Sequence, residues 1–403
     1  MPVPAFLHPF ARPAAEHFIK MVGGEGAIVV DDQGRRYVDA MASLWYCNVG
    51  HGRAEIAEAV ATQLRTLDNF HTFELYTNEP TERLTAELSA LAPMPNARVF
   101  LTCSGSEAVD SALKLARIAH WCSGARSRQL VISRRPSYHG VTYGGVTATG
   151  LPAIQEGFGP LLGGVTQVDK DDLDAVARIF AERGAEVAAV IAEPVVGAGG
   201  VYPPAPGYLE GLRRLCDDHG AFLILDEVIC GFGRLGAWWG AQHYGVTPDL
   251  ITFAKAVTSG YQPLGGVLVG ESVREPLEAD PTFVLRHGHT YSGHPAAAAA
   301  GLVALDITRR EGLLDLAPKI GERLAAGLRS LRDDGKVVDV RGDGAVWAVG
   351  LRPDQSAPAV RDAMLERGVI PRPIGESTLA FCPPLVIDDA DIDRCVAVLE
   401  EVT

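Results

Sequence analysis

The sequence predicts an α/β protein with a large domain, built on a mostly parallel sheet flanked by helices, and a smaller α+β domain. Three observations predict this fold class. Between residues 98 and 270, short apolar runs without polar alternation are separated by helical or glycine-rich segments, as in strands buried on both faces. After residue 295, two long amphipathic helices precede several short strands. At roughly 150 residues per domain, the 403 residues suggest two or three domains.

The elements are predicted in the following order. Two short strands around a turn at 32–34 occupy residues 26–39, and helices follow at 53–66 and 80–91. Buried strands are predicted at 99–102, 130–133, 187–192, 222–225, 250–253 and 266–269. Helices at 295–311 and 315–333 precede strand-like 337–340 and 346–351, a further helix, strand-like 369–374 and 378–381, and a helix from Asp388. We therefore expect residues 1–47 and 295–403 to form the smaller domain, and residues 48–294 the large one.

Composition excludes several classes of protein. The formal net charge of −14 argues against a nucleic-acid partner, because phosphate backbones need a cationic surface. No apolar run approaches the roughly 18 residues of a membrane span, and the N-terminus, interrupted by prolines and histidines, has no signal-peptide core. The seven cysteines include no C-x-x-C pair, which is typical of reduced thiols. We expect a cytoplasmic protein without a membrane partner.

The first candidate site follows the strand at 99–102. Ser104 and Glu107 have capping-box spacing at the start of a predicted helix, and Gly105 and Ser106 lie between them. Such a helix start binds anions through its free N–H groups and the positive end of its dipole. A plain helix cap is the alternative. No G-K-[ST] follows, so this is not a P-loop.

Three later strands end in groups with complementary chemistry. Tyr138 follows the second buried strand, and an aromatic ring there can stack on a planar ligand. The fourth strand ends in Asp226 and Glu227, one of which could hold a proton on a heterocyclic nitrogen. Lys255 follows the fifth, where desolvation would lower its pKa and favour a neutral amine able to form a Schiff base. An ordinary loop, an exposed carboxylate and a lysine reaching water are the alternatives.

The four sites together match the needs of pyridoxal 5'-phosphate (PLP): a phosphate cradle, a stacking ring, an acid for the ring nitrogen and an amine for the aldehyde. The ordered motifs are L-W-Y-C-N-V-G-H-G at 44–52, S-G-S-E-A at 104–108, Y-H-G at 138–140, A-E-P-V at 192–195, D-E-V-I-C-G-F-G-R at 226–234, F-A-K at 253–255, H-T-Y-S-G-H-P at 289–295 and C-P-P at 382–384. Over about residues 26–400 the chain thus resembles the class III (ω-type) aminotransferases of PLP fold type I, on the amine or β-alanine:pyruvate branch. The resemblance implies PLP as cofactor, a seven-stranded large-domain sheet, and an obligate homodimer with shared active sites, or a tetramer.

The resemblance also implies roles for single residues. Lys255 would carry the cofactor as a Schiff base and, once freed, shuttle the proton between Cα and C4′. Asp226 would pair with the pyridinium nitrogen, Val228 would pack under the ring, and Tyr138 would stack above it. The other implied cofactor-binding residues are Gly105, Ser106, His139, Glu193 and Thr290, of which Thr290 reaches the phosphate of the neighbouring subunit.

Four residues are implied in the substrate pocket. Arg372 resembles the mobile arginine of amine:pyruvate enzymes, which binds a keto-acid carboxylate bidentately and swings out for an apolar amine; a surface arginine between two prolines is the alternative. Trp45 would wall the pocket, and Phe73 aligns with a pocket residue contributed by the partner subunit. Ala198 stands where ornithine-, acetylornithine- and GABA-type relatives have a glutamate that pairs with another arginine. Without that glutamate, the glutamate–arginine switch of those relatives cannot operate here.

Two further patterns carry less weight. His287, His289 and His294 could suggest a metal cluster, but they overlap the H-T-Y-S-G-H-P motif, and we expect no metal. Ser111 and Lys114 copy the S-x-x-K of penicillin-binding proteins without the two accompanying motifs, which predicts surface and packing roles.

The sequence therefore predicts an aminotransferase that moves an amino group from an amine or ω-amino acid to a keto acid such as pyruvate by a ping-pong mechanism. An amino-acid racemase, epimerase or aminomutase would need the same Lys255 and Asp226, but no keto acid. A non-catalytic PLP-fold binding subunit is a third hypothesis, against which the retention of Lys255, Asp226 and Tyr138 argues.

Overall fold

A computed structural model describes residues 5–403. Its strands are β1 (Met21–Glu25), β2 (Ile28–Asp31), β3 (Arg36–Asp39), β4 (Arg98–Thr102), β5 (Leu130–Arg135), β6 (Val165–Asp169), β7 (Val187–Ala192), β8 (Phe222–Asp226), β9 (Leu250–Phe253), β10 (Gly265–Val269), β11 (Asp339–Asp343), β12 (Val346–Gly350), β13 (Val369–Ile370), β14 (Arg372–Ile374) and β15 (Thr378–Phe381). Its helices are α1 (Ala42–Trp45), α2 (Ala54–Thr66), α3 (Glu79–Leu91), α4 (Gly105–Cys122), α5 (Tyr143–Ala148), α6 (Pro152–Gln155), α7 (Leu173–Arg183), α8 (Tyr208–His219), α9 (Gly240–His243), α10 (Glu271–Glu278), α11 (Pro295–Arg310), α12 (Leu313–Asp333), α13 (Ala357–Glu366) and α14 (Asp389–Val402).

The central sheet has seven strands in the order β4-β10-β9-β8-β7-β5-β6. Only β10 runs antiparallel to its neighbours, so the mostly parallel sheet is confirmed. Six of the seven strands match predicted apolar runs. The sequence analysis missed β6, because V-T-Q-V-D at the sheet edge is only partly buried and its pattern is mixed. By contrast, β7 is buried along its whole length, as its uninterrupted apolar sequence requires.

The parallel strands bring the candidate site residues to one edge of this sheet. Tyr138 lies shortly after β5, Glu193 directly after β7, and Lys255 shortly after β9, while Asp226 is the last residue of β8. The carboxyl ends of parallel strands meet at the same edge, which is where ligands bind in open α/β sheets. The fold therefore gathers residues that are far apart in the sequence.

Helices cover both faces of the sheet. On one face α4 packs its small residues, among them Ala108, Ala112 and Ala116, against strand side chains such as Ile191 and Ile224. On the other face lies a larger core that includes side chains of α8 and the buried rings of Phe232, Trp239 and Phe253. Alanines let α4 approach the sheet closely, which holds the start of the helix beside the strand ends.

Two smaller sheets complete the fold. One has the order β1-β2-β3-β13, and the parallel pairing of β13 with β3 joins the two ends of the chain. The other, β11-β12-β15-β14, is antiparallel. The strand expected at 369–374 is in fact two strands in different sheets, because Pro371 between them has no N–H to donate to a ladder. The edge strand β1 was not predicted; its side chains are largely exposed.

The predicted domain boundaries remain a prediction. A separate core contains residues of both chain ends, such as Val38 and Phe381. Helix α11 contributes to two cores, with Leu305 packed in the core of the large sheet and Ile307 in that of the chain ends. Within residues 5–403, each helix is too short or too polar to cross a membrane.

Candidate functional site

A cavity of about 380 Å³ lies at the carboxyl edge of the central sheet. Eight of the nine predicted cofactor-binding residues line it: Gly105, Ser106, Tyr138, His139, Glu193, Asp226, Val228 and Lys255. They come from five separate stretches of the chain. Thr290, the ninth, is exposed on the surface.

Lys255 enters the cavity from a tight turn. Its backbone φ is +51°, in the left-handed region that non-glycine residues rarely adopt, and it begins a 3₁₀ turn directly after β9 and Ala254. Burial lowers the pKa of its amine, against the opposing effect of the Asp226 and Glu193 carboxylates. A lowered pKa favours the neutral amine, which is the nucleophilic form.

Asp226 is held by three donors. His139 Nδ1 lies 2.7 Å from its Oδ2, while Thr252 Oγ1 at 3.0 Å and the Val228 N–H at 3.2 Å donate to its Oδ1. An ionised carboxylate has about four acceptor positions, so one remains for a ligand N–H. The carboxyl group can therefore pair with a heterocyclic nitrogen without losing its anchoring.

The start of α4 forms an anion cradle. Glu107 N–H donates to Ser104 Oγ at 3.2 Å, and Cys103 N–H donates to Glu107 Oε2 at 2.8 Å. This confirms the side-chain cap, and the first N–H groups of the helix, at Gly105 and Ser106, have no intrahelical acceptors. The Val141 N–H donates to Ser106 Oγ at 3.1 Å, which leaves the hydroxyl hydrogen available for a ligand.

Two glycines keep this cradle open. A Cβ on Gly105 would lie 2.9 Å from Val228 Cγ1, so only glycine lets the cradle approach the valine without displacement. Gly140 has a φ of +106°, and a Cβ there would lie 2.8 Å from Ser106 Cα. Both positions require the absence of a side chain, and both face the same small volume.

Glu193 fastens two loops around the cavity. Its Oε1 accepts from the Tyr138 N–H at 2.9 Å, and its Oε2 accepts from the Gly197 N–H at 2.8 Å. Burial raises the pKa of Glu193, opposed by the nearby His139. This carboxyl group therefore fixes the backbone of the loop that carries Tyr138.

The comparisons with known proteins agree with this geometry. The sequence profile described as "Aminotransferase class-III" matches residues 10–403. The chain is a class III aminotransferase. It is 36% identical to the beta-alanine–pyruvate aminotransferase of Pseudomonas aeruginosa, over 93% of this chain and 89% of that protein.

Solved structures show the same fold. An amine transaminase from an uncultivated Pseudomonas species, in a PLP-bound form, is 35% identical and superposes with a TM-score of 0.94 over 99% of this chain and 98% of that one. A thermostable (S)-enantioselective omega-transaminase from Thermomicrobium roseum is 37% identical, with a TM-score of 0.94 over 98% and 95% of the two chains. PLP fold type I is confirmed, and the aminotransferase uses PLP.

The cavity residues fit this cofactor. The cradle at Gly105 and Ser106 suits the phosphate, the free acceptor position of Asp226 suits the ring N–H, and the amine of Lys255 suits the aldehyde. When bound, PLP withdraws electrons from the carbon that loses its proton.

On the substrate side, the place of Trp45 in the pocket wall remains a prediction. Trp45 is 3% exposed, in a buried cluster with Met41 and Cys382, whereas its neighbour Tyr46 lines the cavity. The segment before it is unusually twisted, with positive φ angles at Ala42, Ser43 and Trp45. This twist turns Trp45 towards the core and leaves Tyr46 as the wall. The ring of Tyr46 lies so close to Gly260 that a Cβ there would collide with it.

The other predicted substrate residues lie outside the cavity wall. Ala198 is partly buried in the loop that Glu193 anchors, and Phe73 is 44% exposed. Arg372 is partly buried in β14, where it pairs with Ala380 of β15, and its side chain forms no ion pair or hydrogen bond within residues 5–403. Burial lowers the pKa of its guanidinium, and its charge acts on Tyr138. Arg372 is thus an uncommitted cation near the site.

The sequence analysis missed Thr252. The strand pattern alone left the choice between the two carboxyl groups open, and the resemblance implied Asp226. A lone hydroxyl in the apolar strand L-I-T-F was the available signal for Thr252. Glu227 is fully buried away from the cavity and accepts N–H groups of Gly240 and Ala241, and burial raises its pKa to about 8. Asp226 is therefore the carboxylate that faces the cofactor.

The histidine-rich segment forms contacts of a different kind from a metal site. His287 and His289 bond to Ser111, and His294 Nδ1 accepts the Ala296 N–H at 3.3 Å. Lys114 also bonds to His287. Ser111 is fully buried and Lys114 is exposed, in line with the packing and surface roles expected for them.

An ion pair holds the twisted segment that carries Tyr46. Asp39 accepts the N–H groups of Ser43 at 2.6 Å and Met41 at 3.2 Å, and its Oδ2 lies 2.8 Å from His51 Nε2. Burial alone would lower the pKa of His51, but hydrogen bonds with Asp39 and Cys47 outweigh it and raise the pKa to about 10.

This raised pKa predicts a pH effect on stability. A histidine whose folded-state pKa is raised stabilises the protein fully below its unfolded pKa, and the effect is lost as the pH rises through the folded pKa. The melting temperature of the wild type should therefore fall more between about pH 7 and pH 10 than that of His51→Gln. His17→Gln, an exposed control, should match the wild type. The same pH dependence in all three proteins would contradict the prediction.

Proposed function

We propose that this aminotransferase moves an amino group from an amine or ω-amino acid to a keto acid such as pyruvate, by a ping-pong mechanism with Lys255 as the Schiff-base lysine. The observation that carries the proposal is the meeting of Lys255, Asp226 and the anion cradle in one cavity. Its relatives include a beta-alanine–pyruvate aminotransferase and an omega-transaminase, which supports this substrate class. The seven cysteines are all free thiols, which supports the proposed cytoplasmic location.

Each residue has a defined task in this reaction. Asp226, fixed by His139 and Thr252, holds the proton on the ring nitrogen. Lys255, with its lowered pKa, would accept the proton from the substrate Cα and deliver it to C4′ of the cofactor, and it would move a proton in the opposite direction in the second half of the reaction. The apolar side chain of Val228 and the ring of Tyr138 confine the cofactor ring between them.

The proposal includes a homodimer with shared active sites. Phe73 and Thr290 are exposed in the single chain, and a Cβ on Gly288 would lie 3.2 Å from the Phe73 ring, so Phe73 borders the loop that carries Thr290. Phe70, Leu75 and Tyr76 are also exposed close by in the sequence. A surface of this kind indicates a protein partner, and a second copy would bring Phe73 and Thr290 to its cavity.

A donor and acceptor panel tests the substrate class. Amines and ω-amino acids should be converted with pyruvate or 2-oxoglutarate present, and each amino group consumed should appear in the product amino acid. Conversion without a keto acid would contradict the proposal and favour a racemase or aminomutase.

Arg372 is expected to bind the carboxylate of the keto acid. Arg372→Ala should lower kcat/KM for pyruvate about 30- to 100-fold, because a bidentate charge-assisted pair is lost. The half-reaction with an apolar amine should change less than about threefold, because no carboxylate is bound there. Stopped-flow measurement of both half-reactions provides the comparison.

Arg361→Ala is the matched control, because Arg361 acts on Arg372 through its charge but is paired with Asp362. It should leave both half-reactions close to wild type. Equal losses in the two half-reactions of Arg372→Ala would mean that this arginine is not the carboxylate clamp.

A further inference from the structure

A continuous chain of side-chain contacts runs along α4, outside the cavity. Lys114 Nζ lies 2.9 Å from His287 Nδ1, and His287 Nε2 lies 2.9 Å from Ser111 Oγ. The same Ser111 Oγ lies 3.3 Å from His289 Nε2, and His289 Nδ1 lies 3.8 Å from Glu107 Oε1. This series of contacts joins the exposed Lys114 to Glu107, the carboxylate at the start of the cradle helix.

The Lys114 ammonium group fixes the donor and the acceptor of each hydrogen bond between Lys114 and His289. The Lys114 ammonium can only donate, so His287 Nδ1 accepts and, in the neutral ring, Nε2–H donates to Ser111. Ser111 then directs its own hydroxyl hydrogen to His289 Nε2, which leaves Nδ1–H facing Glu107. Burial, with the charge of Lys114, lowers the pKa of His287, which agrees with a neutral ring.

This series of contacts reaches two different parts of the active site. At one end, Glu107 accepts the Cys103 N–H and so shapes the cradle of its own subunit. In the middle, His287 and His289 belong to the loop in which Thr290 follows His289 directly. That loop is also fixed through Ser292, whose hydroxyl accepts the His289 N–H at 3.3 Å and donates to the Leu101 carbonyl at 2.7 Å.

We propose that Ser111, His287 and His289 are positioning residues that hold the Thr290 loop in register with the cradle helix, so that each subunit presents Thr290 correctly to the cofactor phosphate of its partner. This inference rests on the proposed shared active site. It makes Ser111 the central element, since its hydroxyl is the only group that contacts both histidines in the described chain of contacts. Loss of that hydroxyl would free the tautomers of both rings and loosen the loop.

A double-mutant cycle on PLP affinity tests the inference. The dissociation constant for PLP is measured by equilibrium dialysis of holoenzyme carrying Ser111→Ala, Thr290→Val or both. Each single variant should weaken PLP binding about three- to tenfold, as expected for the loss of one hydrogen bond. Because Ser111 acts through Thr290, the double variant should bind PLP as weakly as Thr290→Val alone.

The controls separate positioning from general destabilisation. Thermal melting of the PLP-free protein checks that Ser111→Ala remains folded at the temperature of the dialysis, and Ser330→Ala, on the exposed side of α12, should bind PLP like the wild type. A loss for Thr290→Val without one for Ser111→Ala, or additive losses in the double variant, would overturn the inference alone. Wild-type affinity in Thr290→Val would overturn the shared-phosphate proposal and the inference together.

Discussion

Replacing Lys255 with alanine is expected to lower kcat at least about 10⁴-fold. The variant loses both the amine that binds the cofactor aldehyde and the base that moves the Cα proton, and each such role contributes orders of magnitude. PLP should still bind, because the cradle at Gly105 and Ser106 and the acceptor position of Asp226 are unaffected. Steady-state kinetics with an amine donor and pyruvate measures the loss, and the absorbance spectrum follows the cofactor.

Lys319→Ala is the matched control, since Lys319 is exposed on α12. It should keep wild-type turnover. Borohydride reduction of the wild-type holoenzyme, followed by peptide mass analysis, should attach the cofactor to Lys255. Turnover of Lys255→Ala within tenfold of wild type would refute the assignment.

Asp226→Asn is expected to lower kcat about 10²- to 10³-fold. Asparagine keeps nearly the same shape but lacks the charge that holds the proton on the ring nitrogen, and electrostatic contributions of this kind have that size in buried sites. One of the bonds from His139 and Thr252 must also reorganise, because an amide offers only one acceptor oxygen. Single-turnover kinetics of the amine half-reaction measures the chemical step directly.

Glu227→Gln is the discriminating control, because Glu227 is the next residue and is buried away from the cavity. It should lower the melting temperature, since its carboxylate accepts the Gly240 and Ala241 N–H groups, but kcat should stay within about threefold of wild type. A larger kcat loss in Glu227→Gln than in Asp226→Asn would mean that Glu227, and not Asp226, pairs with the ring nitrogen.

Much of the fold could be predicted from local patterns. The apolar runs of β5, β7, β8 and β9 have no polar alternation, and burial on both faces is the one arrangement that satisfies such runs in a soluble α/β sheet. The capping residue Ser104 marked a helix start that the structure confirms. The edge strand β6 and the change of sheet at Pro371 could not be predicted with the same certainty, because partial burial and chain direction depend on neighbours distant in sequence.

The candidate site, like the fold, was predictable from the sequence only in part. The sequence by itself determined which chemical groups are present and in what order: an anion-binding helix start, an aromatic residue, a carboxylate pair and a lysine, each at the end of a predicted strand. The alternation of strand and helix already places such residues at one edge of a sheet, so the cofactor was predictable from short motifs.

Only the tertiary structure decided which of these groups meet. It turned Asp226 into the cavity and Glu227 away from it, put Tyr46 in the cavity wall, and joined Ser111 to two histidines more than 170 residues further along the chain. Side-chain direction at a strand end and contact between remote segments depend on backbone twist and packing, which local sequence patterns do not encode.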